Sequence, residues 1–350
     1  HVAYEQWSKI EQLALDLRKN PRQYEKVKEH YEFSIQSMVL AARERNVPVI
    51  LVTVPVNLRD WRPNVSYQPV KGETLAAWEQ QYRNGRRLLF LGDAAGAVQA
   101  FSTATHISPL HAESHFMLGL ALETVHDYDG ALLAYGSARD LDHNPFRAPS
   151  DLNRILRQIA GRFDNVSLAD AEQAFQAASA PLAPGFDLFL DYVHPTKRGN
   201  LLLAHAVYTE IVKRNLIDAE TNGADAVQTA VLNSPGSKEA YDERRDYAMQ
   251  GVMVRLFVMM HQYESALEKA HALYQAPGAF DALRSGEDAR LVKGVLELFP
   301  DIIRHEHAAI LGGTDDKPRR QELEARIKKF YRDNFGGYEE FQSFAKGRAS

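Results

Sequence analysis

The chain has 350 residues, 45% hydrophobic and 25% charged, with no cysteine and a formal net charge of −5. Those figures suit a globular protein with room for two or three domains, and they exclude disulfides and thiolate chemistry. An acidic balance without a basic face argues against a nucleic-acid partner, and no run of about eighteen apolar residues offers a transmembrane helix.

In chain order, Tyr24, Val27, Tyr31, Ile35, Met38 and Ala42 recur at three- and four-residue steps, which predicts an amphipathic helix over 24–46 ending at Asn46. VPVILVTVPVN, residues 47–57, predicts a strand apolar on both faces and closed by Pro55, of the kind found inside a parallel sheet. Helix then strand across a short link is the α/β signature. A second strand is expected in FDNVSLAD, 163–170, after the helical DLNRILRQIAGR. A third is expected in GFDLFL, 185–190, followed by a helix over 201–216.

Between the first and second strands the sequence repeats itself at an offset of 34 residues. Tyr82 pairs with Phe116, Gly85 with Gly119, Leu88 with Leu122, Asp93 with Asp127, Gly96 with Gly130, Ala97 with Ala131, Phe101 with Tyr135 and Ala104 with Ala138. That is the period of the tetratricopeptide repeat, whose small residues let two helices approach while an aromatic fills the space beside them. Pro109 closes the first hairpin. Two repeats are few for a free solenoid, so they are expected to lean on the α/β body or on flanking helices.

Beyond residue 217 the pattern is all helical. Gly251, Tyr263, Ala266 and Ala270 suggest another hairpin over 241–274, LGGTDDKP at 311–318 breaks structure, a charged helix follows over 319–333, and the final GRAS is expected to fray. The expected organisation is an α/β body over 1–70 and 147–217, a repeat insert over 71–146, and an all-α C-terminal extension over 218–350.

The chemistry concentrates in LFLDYVHPTKRGN, residues 188–200. An Asp three residues before a His suits a carboxylate that holds one imidazole nitrogen, leaving the other free as a general base. The structural alternative is a surface turn capping a helix that starts near Thr196. His106, His111 and His115 are candidate metal ligands, but only Glu113 lies nearby at matching spacing. RHEHAA at 304–309 is HExH rather than HExxH. No metal site is expected.

FLDYVHPTKRGN, with the helix after it, closely resembles the last sequence block of the SGNH (GDSL-type) hydrolases. VPVILVTVPVNLRDW, residues 47–61, resembles the fourth strand and following loop of one subgroup. That subgroup carries tetratricopeptide repeats inserted between the positions of Trp61 and the Arg-Ala-Pro-Ser segment at 147–150. The resemblance covers about residues 24–216. It implies a partial flavodoxin-like α/β sheet with helices on both faces, an inserted all-α repeat module, and a Ser-Asp-His triad. In that triad Asp191 orients and His194 is the general base, with an oxyanion hole shared by the Ser backbone, a Gly and an Asn.

Asn57, Arg59, Asp60 and Trp61 follow a strand end, where open α/β sheets gather their ligands, and are candidate substrate contacts. A planar Arg fork suits a carboxylate or ester oxygen. Equally, Arg59 and Asp60 could pair to brace the loop, and Trp61 could pack under the repeats.

Two blocks of the family pattern are absent. The only Gly-Asp is Gly92-Asp93, inside a repeat, and no Gly-x-Asn-Asp or Gly-x-Asn-Glu occurs. Ser8, Ser34 and Ser37 fall on predicted helices, which makes none of them a credible nucleophile. In the family both missing blocks precede the helix at 24–46. The expectation is therefore the C-terminal part of a longer protein, with its first strands and its nucleophile upstream.

The expected function is hydrolysis or transfer of an acyl group from an ester, with O-acyl groups on a glycan or lipid as candidate substrates and no metal or organic cofactor. The alternative is an inactive scaffold in a larger bacterial assembly, binding a protein partner through the repeats and helical tail. By resemblance the location is a bacterial periplasm or envelope, with membrane attachment only through an amino-terminal anchor and the cytoplasm as the alternative.

Overall fold

The structure, a computed structural model, describes residues 19–216, 243–259, 262–276, 278, 279, 283, 286–310 and 317–335. It is mostly helical, with two parallel strands among the described residues. The chain divides into two compact units, one of His1–Gly85 with Ala94–Lys238 and the other of Arg86–Asp93 with Glu239–Ser350.

In the first unit, α1 (Pro21–Arg43) starts on Asn20, whose side chain accepts from the Gln23 N–H, and on Pro21, whose missing N–H costs nothing at that position. It stops where Asn46 turns to φ 54°. The helix buries Tyr31, Ile35 and Val39 against Ile155 and Ile159 of α6 (Ser150–Ala160). The expected stripe is displaced at its end. Met38 is 60% exposed and Val39, one residue on, is buried, because i, i+4, i+8 is the face that meets α6.

The strands β1 (Val49–Val52) and β2 (Val166–Ala169) pair in parallel, Val49 opposite Val166 and Val52 opposite Ala169. Val49 and Leu51 face α1 and α6, which leaves the face of Ile50 and Val52 for α8 (Lys197–Lys213), a helix that also contacts both strands.

The eleven-residue strand expected over 47–57 is cut to four. Pro55 has no N–H, and the Asn153 side chain on α6 occupies both polar groups of Val54, accepting at 2.8 Å and donating at 3.0 Å. Nor is β1 the fully buried strand its composition suggests, for all four residues are only half-buried. The strand expected at 185–190 is replaced by a tight turn with a lone antiparallel bridge between Phe189 and Pro195. Carboxylates take its first backbone donors: Gly185 N–H donates to Asp187 and Phe186 N–H to Asp60.

The two edges of the sheet differ. Beyond β2, Arg214 donates to the carbonyls of Asp164 and Val166 and seals that side. On β1, Val49 and Thr53 donate to β2, so the polar groups of Ile50 and Val52 point the other way. They have no hydrogen-bond partner there among the described residues.

Two successive helical hairpins follow β1: α2 (Gly72–Phe90) with α3 (Ala94–Ile107), then α4 (Ala112–Thr124) with α5 (Tyr128–Asp140). Gly85 lies against the Phe101 ring and Gly119 against the Tyr135 ring, so close that an added Cβ would sit 2.8 and 2.7 Å from ring carbons. The turn after α2 takes φ 84° at Gly92, and its counterpart after α4 takes φ 63° at His126.

Apart from Arg86–Asp93, the residues of these hairpins fall in the same compact unit as the strands. The fusion is polar: Asp142, after α5, accepts the N–H groups of Asn64 and Val65 from the irregular segment leaving β1. Arg139 on α5 reaches Glu172 on α7 (Ala171–Ser179), and Asp140 accepts from the N–H and hydroxyl of Ser150 at the start of α6.

In the second unit, α9 (Glu243–Met259) packs on α10 (Tyr263–Gln275), and α11 (Gly286–Ile310) contacts α9, α10 and α12 (Lys317–Phe335). Ala266 and Ala270 are fully buried, as a close helix pair requires. The expected break at 311–318 falls largely outside the described residues, as do Ser8 and the final GRAS. No helix among the described residues is long and apolar enough to cross a membrane.

Candidate active site

Asp191 and His194 sit on the turn that joins Phe189 to Pro195, directly before α8. The turn closes on itself: Leu190 N–H donates to the His194 carbonyl at 2.8 Å, and Thr196 N–H donates to the Leu188 carbonyl at 2.8 Å. Thr196 then caps α8 by accepting from Gly199 N–H. Gly199 has to be glycine, because a Cβ there would lie 2.5 Å from the Leu188 carbonyl oxygen. The helix therefore starts four residues before the expected 201.

Within this frame the Asp191 carboxylate is buried and the His194 ring is not, with side-chain exposures of 5% and 63%. Oδ1 of Asp191 accepts the N–H groups of Val193 and His194 at 2.8 and 2.7 Å. Oδ2 lies 2.6 Å from Nδ1 of His194. A carboxylate accepts and does not donate, so Nδ1 carries the proton and Nε2 is left with its lone pair on the exposed side. Tyr192 lies between, its ring 6.3 Å from the His194 ring and 5.0 Å from Trp61. Burial, and then the nearby Asp191 charge, push the Tyr192 phenol above its ordinary range. Among the described residues no hydroxyl is hydrogen-bonded to His194.

The other four candidates are held by contacts within the protein. Asn57 is fully buried, and its side chain faces protein on every side. Its Nδ2 donates to the Asp191 carbonyl at 3.0 Å, its N–H to the Tyr192 carbonyl at 3.1 Å, and its Oδ1 accepts from Asp60 N–H at 2.9 Å. Arg59 and Asp60 form a two-point pair, Nε and Nη2 each 3.1 Å from a carboxylate oxygen. Burial works against the charge of Arg59. Asp60, with Glu123 and Asp187, outweighs it and holds the guanidinium above its ordinary pKa range. Trp61 is fully buried beside Tyr192. These contacts brace the loop.

Arg147 is a buried neighbour of this loop. It is 2% exposed and donates from Nη1 to the Asn57 carbonyl at 2.9 Å. Burial pulls its pKa down to about 10 against the upward pull of Asp142. Burial pushes Asp142 up to about 6, although Arg147 and the N–H groups of Asn64, Val65 and Asn144 all favour its charged form. The Arg147–Asn57 contact joins residues 90 apart in sequence, so no local spacing announces it.

Two histidines of the second hairpin have structural roles. His111 caps α4 by accepting from Ser114 N–H, and His115 Nε2 lies 3.0 Å from the Pro109 carbonyl. On α11, His307 lies 3.3 Å from Glu264. Among the described residues no group of three or more His, Asp or Glu side chains is placed to hold a metal ion.

No family model matches the chain, and no curated protein or solved structure matches it.

Proposed function

We propose that Asp191 and His194 are the charge-bearing end of a serine-dependent acyl hydrolase or acyltransferase, of the SGNH kind that the sequence resembles. The observation that carries this reading is the Asp191–His194 pair itself. A buried carboxylate holding Nδ1 at 2.6 Å, with Nε2 exposed, is the arrangement a general base needs. A serine hydroxyl attacks the ester carbonyl while Nε2 takes its proton. The same proton then goes to the departing alcohol, and Asp191 steadies the imidazolium between the two steps. The reading needs no metal or organic cofactor.

The serine is to be sought outside the described residues. Two features support a further segment packing on the first unit: the open edge of β1, and the exposed Phe33, Met38 and Leu40 on α1. A flavodoxin-like sheet would add strands beside β1. The paired hairpins fit a tetratricopeptide-type module, whose exposed Leu133 and Leu110 suit a protein partner. An envelope location and O-acyl groups on a glycan or lipid belong to the same reading.

A scaffold without turnover is the second reading, favoured by the lack of any hydroxyl at His194 among the described residues. Hydrolysis of p-nitrophenyl acetate by the protein together with its serine-bearing segment separates the two. His194→Ala lowers kcat/KM by roughly 10⁶-fold if the triad operates. Equal rates with and without His194 overturn the enzyme and leave the scaffold.

A further inference from the structure

We infer that Asn57 and Arg147 are positioning residues for the Asp191–His194 pair. Their catalytic meaning rests on the acyl-transfer reading, but their geometry does not. The turn carrying Asp191 has two consecutive carbonyls, those of Asp191 and Tyr192, aimed inward. One residue, Asn57, holds both, the first through its side-chain amide and the second through its backbone N–H.

Those two bonds fix the peptide that follows the Asp191 Cα, and with it the direction in which the carboxylate leaves the chain. The third contact of Asn57, from Asp60 N–H to Oδ1, sets which way the amide faces, so that Nδ2 and not Oδ1 points at Asp191. Arg147 holds Asn57 from below by donating to its carbonyl, and Asp142 keeps an opposite charge near the buried guanidinium.

Stability alone is a poor explanation for Arg147. A guanidinium 2% exposed, with no hydrogen-bond partner for Nη2 among the described residues, loses hydration that the neighbouring carboxylate only partly returns. An apolar side chain of similar volume would fill the same space without that loss. What such a side chain could not do is fix the Asn57 carbonyl to a direction. The path from Arg147 to Asn57 to the Asp191 turn thus sets the angle at which Oδ2 meets His194 Nδ1. That contact keeps the proton on Nδ1.

The test reads the His194 Nδ1–H proton directly, in the full 350-residue chain labelled with ¹⁵N-histidine. The resonance is identified by its loss in His194→Gln, and folding is followed by circular dichroism. In the unsubstituted chain Nδ1–H should give one downfield, exchange-protected signal. In Asn57→Ala and Arg147→Met its exchange with water should quicken by about tenfold or more. About tenfold corresponds to about 1.4 kcal/mol, the size of one net hydrogen bond. Arg147→Lys, which keeps a donor and a charge, should restore most of the protection and carries the test if Arg147→Met does not fold.

Unchanged exchange in both Asn57→Ala and Arg147→Met, or no protected signal in the unsubstituted chain, overturns the inference. Ester turnover is not needed for this reading. An intact strut in a protein whose turnover ignores His194 would sink the enzyme and spare the strut.

Discussion

His194 and His111 both hydrogen-bond through Nδ1, one on the turn before α8 and the other at the start of α4, yet the two rings do opposite things. At His194 the partner is a carboxylate, so Nδ1 is a donor and Nε2 faces outward with its lone pair. At His111 the partner is the Ser114 N–H, so Nδ1 is an acceptor. Its ring is buried beside Trp78, with 4.5 Å between centroids. Burial, followed by the neighbouring His115, lowers its pKa to about 4. The partner of Nδ1 therefore decides which nitrogen of each ring carries the proton.

The sharpest way to break this contrast is to change the partner at His194. Asp191→Asn keeps the shape but offers an amide where a carboxylate stood, and the ring can then adopt the wrong tautomer. In the protein with its serine-bearing segment, p-nitrophenyl acetate turnover should fall by roughly 10⁴-fold, while the unfolding midpoint stays close to that of the unsubstituted protein. A turnover within about threefold of the original would show that the tautomer at His194 is irrelevant to the chemistry.

A change at His111 should be felt in stability and not in turnover. Its folded pKa, about 4, lies below the ordinary 6.5. Its neutral form therefore contributes stability in full above pH 6.5, and that contribution is lost as pH falls through about 4. Linkage puts the whole effect at about 3 kcal/mol. His111→Asn retains an effective cap residue and removes the titration. Chemical denaturation at pH 7 and pH 4 should show a smaller acid loss in the variant than in the unsubstituted chain. Equal losses would place the acid sensitivity elsewhere.

The smallest effect belongs to a third histidine. His126 takes φ 63° in the turn where the preceding hairpin has Gly92 at φ 84°. His126→Gly should raise unfolding stability by about 0.5–1 kcal/mol, since glycine enters that region without a Cβ penalty. A loss of stability instead would mean that the 2.8 Å contact between His126 and Tyr128 outweighs the backbone strain.

What could be read from the residues alone follows the range of the interactions. The Asp191–His194 pair is three residues apart, and the periodicity of α1 and the 34-residue hairpin repeat are local or regular, so each leaves a pattern. The contacts that give Asn57 its place join it to residues 134 and 90 positions away, and nothing in Val-Pro-Val-Asn hints at them. That is why Asn57 reads as a substrate contact at a strand end and is found as a buried brace. The strand expected over 185–190 fails for a related reason. Its apolar run is real, and Leu188 and Phe189 are buried with Phe175, but the carboxylates of Asp60 and Asp187 take the backbone N–H groups a ladder would need.

Arg214 has a mechanical consequence beyond closing one side of β2. It follows the last turn of α8, and by gripping the Asp164 and Val166 carbonyls it pins the far end of a 17-residue rod whose near end is pressed against Leu188 through Gly199. A rod fixed at both ends does not pivot. For the His194 turn to swing outward, the rod would have to release one of its anchorages, so the ring should keep its station through the rapid motions of the surrounding surface loops.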